Sequence, residues 1–370
     1  MKKTNVLDRI AEPLLAWYDA GHRELPWRIN KDPYRIWVSE IMLQQTRVEA
    51  VKPYYARFME KFPTVTALAL AEDDVLLKCW EGLGYYSRAR NLKKAAIMIM
   101  EEYHGQMPDT WEELQKLPGI GSYTAGAIAS IAYNKAAPAV DGNVLRILSR
   151  LRMDAEFITR DAVKKRVETE IIDAMPKDRA GDFNQALMEL GAMVCIPNGE
   201  PKCLECPWNQ LCLAKKQGCV SEYPKKEPKK KRTIEQKTVL VLKHGENVAI
   251  HKRPDKGLLA GLYELPMFEG HLEEKDVIIR LQEKQLYPIR IEKLPSSVHI
   301  FSHKEWHMNA YAVRIDELLS ENGMQKEEYR FVHPKETEAE YPIPSAFSAY
   351  AEYLNIKLGN EKFEERGKGT

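Results

Sequence analysis

Apolar residues in the first 215 positions of the chain repeat at the spacing of amphipathic helices. Leu7, Ile10 and Leu14 form one such stripe, and Val144 and Leu148 belong to another. Residues three or four positions apart share one face of a helix, so each stripe predicts a helix that packs against a core. Pro and Gly fall between the stripes, where they favour short loops, and no run alternates in the manner of a β-strand. The pattern predicts an all-α N-terminal part.

The pattern changes near residue 233, where runs rich in β-branched residues appear. Such runs, bounded by turn-forming residues, are typical of β-strands. Two helical stretches interrupt them, so we expect an α+β C-terminal part. The predicted strands are 238–242, 248–251 and 308–313, with a turn at 245–247, and the predicted helical stretches are 276–285 and 345–354.

A basic, proline-containing segment separates the two parts. Residues 222–232 contain two prolines, six basic residues and hardly any apolar ones, which is typical of an exposed linker. Its composition fits a solvated spacer and a strap that contacts phosphate equally well. The predicted organisation is multidomain: a helical domain over residues 1–220, a linker over 221–233, an α+β domain over 234–356 and a disordered tail over 357–370.

The charge balance differs between the two parts, although the whole chain is nearly neutral. The 370 residues carry 55 Lys and Arg against 54 Asp and Glu, a formal net charge of +1. Residues 1–232 carry 36 basic against 31 acidic residues, whereas the remainder carries 19 against 23. The first part therefore permits a polyanionic partner without requiring one.

The sequence predicts a cytoplasmic protein. Asp8 and Arg9 interrupt any apolar core of an export signal. No window approaches the roughly 18 uncharged apolar residues of a membrane span, so we expect no membrane association. Six cysteines in a chain without an export signal suit a reducing compartment, where thiols bind metal or stay free.

Four of these cysteines predict a metal centre. Cys195, Cys203, Cys206 and Cys212 follow the spacing C-x7-C-x2-C-x5-C within the segment 195–212. Four soft thiolates this close together suit a tetrahedral zinc ion or an iron–sulfur cluster. The spacing alone does not decide between the two.

Residues 117–125, Leu-Pro-Gly-Ile-Gly-Ser-Tyr-Thr-Ala, predict a tight turn between two helices. Gly119 and Gly121 permit the turn, and the second helix then begins with unpaired backbone N–H groups. Such a helix N-terminus binds a phosphate without reading sequence. The alternative is an ordinary helical hairpin.

Two carboxylates combine features of an acid–base pair. Glu40 has Ile36, Trp37 and Leu43 as its helical neighbours, so it should lie on an apolar face where burial raises its pKa. Asp141 precedes a helical stripe, where an N-cap is the commonest role of an Asp. A protonated carboxyl beside an ionised one is the arrangement that breaks glycosidic bonds.

Together these segments resemble the endonuclease III superfamily of DNA glycosylases and, more narrowly, the MutY-type adenine DNA glycosylases. The matching motifs extend over nearly the whole chain. They include residues 25–28 (Leu-Pro-Trp-Arg), 37–46 (Trp-Val-Ser-Glu-Ile-Met-Leu-Gln-Gln-Thr), 82–91 (Gly-Leu-Gly-Tyr-Tyr-Ser-Arg-Ala-Arg-Asn) and 140–143 (Val-Asp-Gly-Asn). The resemblance implies a helix–hairpin–helix glycosylase domain that removes adenine mispaired with 8-oxoguanine or guanine in double-stranded DNA.

The resemblance also implies roles for individual residues. Glu40 matches the acid that protonates N7 of a flipped-out adenine, and Asp141 matches the carboxylate that faces C1′ of the sugar. Tyr123 takes the position where strand-cleaving relatives carry a Schiff-base lysine, so we expect a glycosylase without lyase activity. Asn143 matches a supporting position. Further DNA-contacting positions are matched by Arg28, Gln45, Tyr85, Gly119 and Gly121.

The family resemblance extends to the cofactor and to the C-terminal part. The four cysteines match ligands of one [4Fe–4S] cluster, although seven residues separate the first two where six are expected. The C-terminal part resembles a Nudix-like domain whose loop, Phe301, Ser302 and His303, reads 8-oxoguanine. A working Nudix hydrolase needs several acids on one helix to bind Mg²⁺, and residues 277–284 lack that pattern.

Two other functions compete with this interpretation. One is an endonuclease III-like glycosylase and lyase for oxidised pyrimidines, and the other is a lesion-binding protein without catalysis. Tyr123 and the second domain argue against the lyase. We expect a monomer that, in a bacterium, associates with the nucleoid.

Overall fold

A computed structural model describes residues 6–228, 231–315 and 328–358. The predicted tail lies, from residue 359 onward, outside the described residues. The chain forms two compact units, one of which extends to Leu70 and resumes at Asn91, while the other combines Ala71–Arg90 with the chain beyond the linker. In the part of the chain that is described, no helix is long and apolar enough to cross a membrane.

The chain before the linker is helical, as predicted. No strand occurs among the described residues before 233. Some helices begin at a side-chain cap, such as Thr64 before α4 and Thr110 before α7, whose hydroxyls accept backbone N–H bonds. The helices are α1 (Ala11–Gly21), α2 (Pro33–Leu43), α3 (Val48–Lys61), α4 (Val65–Ala69), α5 (Asp73–Cys79), α6 (Ser87–Glu102), α7 (Trp111–Leu114), α8 (Ser122–Tyr133), α9 (Gly142–Arg152), α10 (Asp161–Ala174), α11 (Ala180–Glu189) and α12 (Leu213–Lys216), with short 3₁₀ helices at Val6–Arg9, Pro26–Arg28 and Val220–Glu222 and a π-helical turn at Leu190–Val194.

Helix α8 lies at the centre of the helical unit and packs unusually closely on its surroundings. Residues 124–131 of α8 are buried throughout. A Cβ atom added to Gly126 would lie 1.9 Å from the carbonyl oxygen of Pro138, so only glycine fits at this position. A separate cluster of apolar side chains from α1, α9, α10 and α11 forms a core that includes Leu14, Leu148 and Phe183. Because this core includes Val144, it holds the start of α9 in a fixed position.

The C-terminal unit contains a mixed sheet of seven strands within the described residues. Its main path is β3-β2-β1-β6-β5, with β4 paired to β1 and β7 paired to β2. Strands β1 and β6 run parallel, and β5 and β6 run antiparallel with two irregularities of register. The strands are β1 (Thr233–His244), β2 (Asn247–Lys252), β3 (Tyr263–Glu264), β4 (Met267–Glu269), β5 (Pro288–Ile300), β6 (Lys304–Ile315) and β7 (Arg330–Val332), accompanied by α13 (Glu274–Glu283), α14 (Pro334–Ala339) and 3₁₀ helices at Ser345–Tyr350 and Glu352–Leu354.

The structure confirms the predicted strands and the hairpin turn. Strands β1 and β2 pair around residues 245–246, where Gly245 has φ +55°. The predicted helix at 276–285 corresponds to α13, shifted by two residues toward the N-terminus. One apolar cluster covers each face of the sheet, and Trp306 and Phe347 lie in one of them. The fold is therefore α+β.

The segment Ala71–Arg90 groups with the C-terminal unit rather than with the helical domain that precedes the linker in sequence. Polar contacts account for this grouping. The Asp74 carboxylate accepts bonds from Lys252 Nζ at 2.8 Å and from Tyr263 Oη at 3.2 Å. Arg90 Nη1 donates to the carbonyl oxygen of Ala260 at 2.6 Å. A division at the linker alone, as the sequence suggested, does not capture these contacts.

Candidate active site

Helix α2 carries Glu40 into the interior of the helical unit. Asp32 caps this helix by accepting bonds from the backbone N–H groups of Tyr34 and Arg35, at 2.9 and 3.2 Å. Pro33 occupies the first turn, where its missing N–H costs nothing. The side chain of Glu40 then points among buried residues and is only 5% exposed. The burial predicted from its apolar neighbours is confirmed.

The surroundings of Glu40 hold its pKa near neutrality. Burial raises the pKa of this carboxyl from 4.5 to about 7. A hydrogen bond from Tyr123 Oη to Glu40 Oε2, 2.7 Å long, and the positive charge of Arg28 both act in the opposite direction. The charge of Asp141 raises the pKa further. Near neutral pH a substantial fraction of Glu40 therefore carries a proton that it can donate.

Asp141 is held in one orientation by the start of helix α9. Its Oδ1 accepts bonds from the backbone N–H groups of Asn143 and Val144, both at 2.9 Å, which confirms the predicted N-cap. Its Oδ2 accepts a bond from the side-chain Nδ2 of Asn143 at 2.7 Å. Burial raises the pKa of Asp141, and these three bonds oppose that rise because they favour the ionised form.

Arg146 extends this network and was not identified from the sequence. Its Nη2 donates to Asn143 Oδ1 at 2.8 Å and to the carbonyl oxygen of Gly191 at 2.7 Å. Its Nε donates to the carbonyl oxygen of Cys195 at 2.9 Å. Arg146 is buried although it carries a charge. It lies on the polar face of α9, opposite the apolar stripe, so the local pattern gave no signal that this side chain would be buried.

Arg28 is fixed by a buried carboxylate that the sequence analysis also missed. Glu189, at the end of α11, is 1% exposed and lies 2.9 Å from Arg28 Nη2. Arg23 binds the same carboxylate with two bonds of 2.8 Å. Two guanidinium groups therefore compensate the buried charge of Glu189, and Arg28 stays where its charge acts on Glu40.

A single cavity brings the predicted catalytic residues together. Its volume is about 700 Å³, and Glu40, Tyr123, Asp141 and Asn143 all line it. Gln45, which is predicted to contact DNA, also lines this cavity, and its backbone has φ +60°. Ligand pockets typically measure about 300–1,000 Å³, so the cavity is large enough for a nucleobase with its sugar.

The turn before α8 has the geometry expected for binding a phosphate. Gly119 has φ +79°, which favours glycine, and Gly121 is the N-cap of α8 without any side-chain cap bond. Lys164 Nζ lies 2.8 Å from the hydroxyl of Ser122, the first residue of α8. Backbone N–H groups and one ammonium group therefore surround the start of the helix.

The four predicted cysteine ligands line one small cavity of about 30 Å³. Between the first two, the loop closes through a 3.0 Å bond from Lys202 N to the carbonyl oxygen of Val194, and Gly199 has φ +79° within it. Arg150 Nη1 lies 3.2 Å from Cys195 Sγ. In the ranges described, no three His, Cys, Asp or Glu side chains are arranged to bind a single metal ion.

In the C-terminal unit, Phe301, Ser302 and His303 form the turn between β5 and β6. Phe301 N donates to the carbonyl oxygen of Lys304 at 2.8 Å. The ring of Phe301 packs edge-on against Trp306, with centroids 4.9 Å apart, whereas Ser302 and His303 are exposed. These residues and Tyr85 line a cleft of about 660 Å³. On α13, Arg280 pairs with Glu283 at 3.6 Å.

Comparison with known proteins identifies relatives for both parts of the chain. Residues 38–171 match the HhH-GPD superfamily base excision DNA repair proteins, and residues 238–353 match the NUDIX domain. An adenine DNA glycosylase of Buchnera aphidicola is 37% identical over 315 residues, which cover 84% of this chain and 88% of the relative. The adenine DNA glycosylase of Mus musculus is 38% identical over 363 residues, covering 82% and 70%.

Solved structures of other DNA repair enzymes are similar to more than half of the chain. A thermostable thymine-DNA glycosylase is 27% identical, with a TM-score of 0.51, over 57% of this chain and 97% of its own. A trapped covalent intermediate of endonuclease III with DNA is 26% identical, with a TM-score of 0.51, over 59% and 99%. With these relatives and this geometry, the chain belongs to the adenine DNA glycosylases, hydrolases of base excision DNA repair.

Proposed function

We propose that the protein hydrolyses the N-glycosidic bond of adenine paired with 8-oxoguanine, or with guanine, in double-stranded DNA. One observation carries the proposal: a buried carboxyl of pKa about 7, Glu40, shares a nucleobase-sized cavity with the capped carboxylate of Asp141. Paired carboxyl groups of this kind break glycosidic bonds, one as the acid and the other as a charge that faces the sugar.

In the proposed reaction the adenine is flipped out of the duplex and enters the cavity. Glu40 donates its proton to N7, so that the base leaves as neutral adenine with the electrons of the C1′–N9 bond. The carboxylate of Asp141 stabilises the positive charge that develops at C1′, or forms a transient bond with it. Water then adds to C1′ and gives its proton to the Glu40 carboxylate, which restores the starting state.

We propose that the product is an abasic site in an intact strand. Strand cleavage by β-elimination requires an amine that forms a Schiff base with C1′. The side chain at the corresponding position is Tyr123, whose hydroxyl donates to Glu40. No lysine is among the described residues that line the cavity. This composition favours hydrolysis over the lyase reaction of an endonuclease III-like enzyme.

The DNA would be held chiefly by the hairpin of the helical unit. The uncapped N-terminus of α8 and the ammonium group of Lys164 provide donors for a backbone phosphate. The resemblance to a DNA-bound endonuclease III supports duplex DNA as the partner. In the C-terminal unit, the exposed hydroxyl of Ser302 and ring of His303 offer hydrogen bonds to an oxidised base, while Phe301 supports their turn.

We propose further that Cys195, Cys203, Cys206 and Cys212 hold one [4Fe–4S] cluster. All four cysteines line one cavity, and they match the cluster ligands that the family resemblance implies. The cluster would cross-link the segment 195–212 and take no part in breaking the bond. Visible absorption by the purified protein would support the cluster, and a colourless protein containing stoichiometric zinc would refute it.

The specificity is tested by base release from duplexes in which adenine faces 8-oxoguanine, guanine or cytosine. We expect release opposite 8-oxoguanine and guanine, with 8-oxoguanine preferred and cytosine spared. Equal release from all three duplexes would refute the specificity. Strand nicking without added base or heat would refute the hydrolytic outcome.

The catalytic assignment is tested with Glu40→Gln, which should abolish adenine release and leave duplex binding intact. The matched control is Glu49→Gln, since Glu49 is an exposed residue of α3. Unchanged adenine release by Glu40→Gln would refute the assignment of Glu40 as the acid.

We also propose a monomer in a reducing cytosol. The six cysteines all lie in the described part of the chain, and none of them forms a disulfide. Sedimentation equilibrium of the purified chain would test the oligomeric state.

A further inference from the structure

The backbone turn at Tyr85 is stabilised by side chains of nearby residues in the same segment. Tyr85 itself has φ +47°, and Gly84 has φ +68°, so the turn adopts a conformation that needs support. The carbonyl oxygen of Gly84 accepts bonds from Trp80 Nε1 at 3.1 Å and from Arg88 Nη2 at 3.2 Å. The Tyr85 side chain nevertheless remains 48% exposed. The shape of the turn is thus fixed while its ring stays available for contact.

The same turn touches the loop that we propose reads 8-oxoguanine. Tyr85 Oη lies 2.9 Å from Ser302 Oγ, and both residues line the 660 Å³ cleft of the C-terminal unit. Residues 257–259 and 344–346 also line that cleft. The walls of the cleft therefore come from four separate stretches of chain, and its shape depends on how these stretches are held together.

A buried ion pair connects two of these stretches. Lys78 Nζ donates to the carbonyl oxygens of Thr337 and Tyr341, at 2.6 and 2.9 Å, and lies 3.1 Å from Glu81 Oε2. Glu81 Oε1 accepts a bond from the backbone N–H of Ile343 at 3.1 Å. We call Lys78 and Glu81 the clamp.

The clamp is placed to control the geometry of the cleft. The side chains of Lys78 and Glu81 are only 13% and 5% exposed, so both charges depend on the partners described. Glu81 precedes the Tyr85 turn by four residues, and Ile343 directly precedes the cleft wall at 344–346. A shift at the clamp would therefore move the Tyr85 turn relative to that wall.

We propose that Lys78 and Glu81 are positioning residues that set the preference for 8-oxoguanine over guanine. They touch neither the DNA base nor the reacting bond. They hold the Tyr85 turn beside Ser302, so that the hydroxyl groups of both residues face the lesion in one fixed arrangement. The inference rests on the proposed function, because it assigns a structural origin to the specificity of that reaction.

The test compares two variants that remove the ion pair in different ways. Glu81→Gln keeps the size of the side chain and an acceptor for Ile343 N, whereas Lys78→Met removes the ammonium group. For each variant, the dissociation constant is measured for duplexes that carry a non-cleavable adenine analogue opposite 8-oxoguanine or guanine. The rate of adenine excision is measured separately, in single turnover at saturating duplex.

The specificity ratio is the dissociation constant of the guanine duplex divided by that of the 8-oxoguanine duplex. We expect this ratio to fall about tenfold in both variants, because discrimination by hydrogen bonds is lost when the bonding groups are misplaced. The single-turnover rate opposite guanine should stay within about twofold of the wild type. Lys78→Arg should restore most of the ratio. Glu49→Gln and Lys52→Met, which break an exposed pair of the same i,i+3 spacing, should leave it unchanged.

Three outcomes would overturn the inference. The first is that Glu81→Gln shows the same ratio of dissociation constants for the two duplexes as the wild type. The second is an equal weakening of both dissociation constants together with a slower rate, which would indicate general destabilisation. The third is a wild-type protein that binds both duplexes equally, which would refute the proposed lesion specificity itself before any variant is compared.

Discussion

Replacing Glu40 by Gln should stabilise the folded protein above neutral pH. Burial raises the pKa of Glu40 from 4.5 to about 7, so between these values the folded chain keeps a proton that the unfolded chain has lost. Wild-type stability therefore decreases as the pH rises from about 4.5 to 7 and stays at the lower value above that range. Each pKa unit corresponds to about 1.36 kcal/mol, so the total loss is about 3 kcal/mol.

Glutamine does not titrate and keeps an oxygen that can accept the Tyr123 bond. The difference in unfolding free energy between Glu40→Gln and the wild type should therefore grow by about 3 kcal/mol between pH 4.5 and pH 8. We would measure urea unfolding of the full chain across this range and, because the two units need not unfold together, follow amide hydrogen exchange in α2 and α8 as the local readout.

The matched control is Glu113→Gln. Bonds from Lys116 and Tyr103 lower the pKa of the half-buried Glu113, so its contribution is lost only as the pH falls from the ordinary pKa of a carboxyl group toward the lowered one. Its difference from the wild type should be constant between pH 5.5 and pH 8. A pH-independent difference for Glu40→Gln, or one that shrinks as the pH rises, would refute the proton-holding role of Glu40.

Other perturbations test the remaining features of the site. Tyr123→Phe removes a donor to the ionised form of Glu40, so the alkaline limb of the single-turnover pH–rate profile should move up by about one pH unit; an unmoved limb would argue against the bond. Gly126→Ala should destabilise the protein by about 3 kcal/mol because the methyl group meets a carbonyl oxygen, whereas Gly121→Ala enters open space and should change the melting temperature little; equal shifts would contradict this packing. Arg146→Met should slow excision roughly 10–100-fold at saturating DNA, with duplex binding retained, and an unchanged rate would exclude a positioning role.

The sequence was sufficient to predict features that depend on near neighbours in the chain. The apolar residues around Glu40 predicted its burial, and the position of Asp141 before a helical stripe predicted its cap. Both follow from helix geometry, which relates residues three or four positions apart. The turn at Gly245 was predictable for the same reason, since hairpins depend on two or three local residues.

Features that depend on distant partners left no such local signal. Glu189 appears in the sequence as one more acidic residue at a helix end, and only the fold places Arg23 and Arg28 beside it. The 13-residue strand β5 was missed because its exposed positions include charged side chains and its register is irregular. Several bonds that join Ala71–Arg90 to the rest of the C-terminal unit end on carbonyl oxygens, which any residue type can supply.

That grouping has a consequence for the order in which the molecule is made. Lys78 and its acceptor at Thr337 are separated by 259 positions, and Glu81 and Ile343 by 262. At about 5–20 residues per second, a ribosome needs roughly 10–50 s to synthesise the partners of Lys78 and Glu81 after these residues have been added. During this interval a charged pair destined for burial stays in water, and α5 lacks the surface on which it will pack. In a chain that terminates at the linker, residues 71–90 would never meet the partners on which they pack. Premature stops far from the active site should therefore yield protein that is prone to proteolysis at residues 71–90.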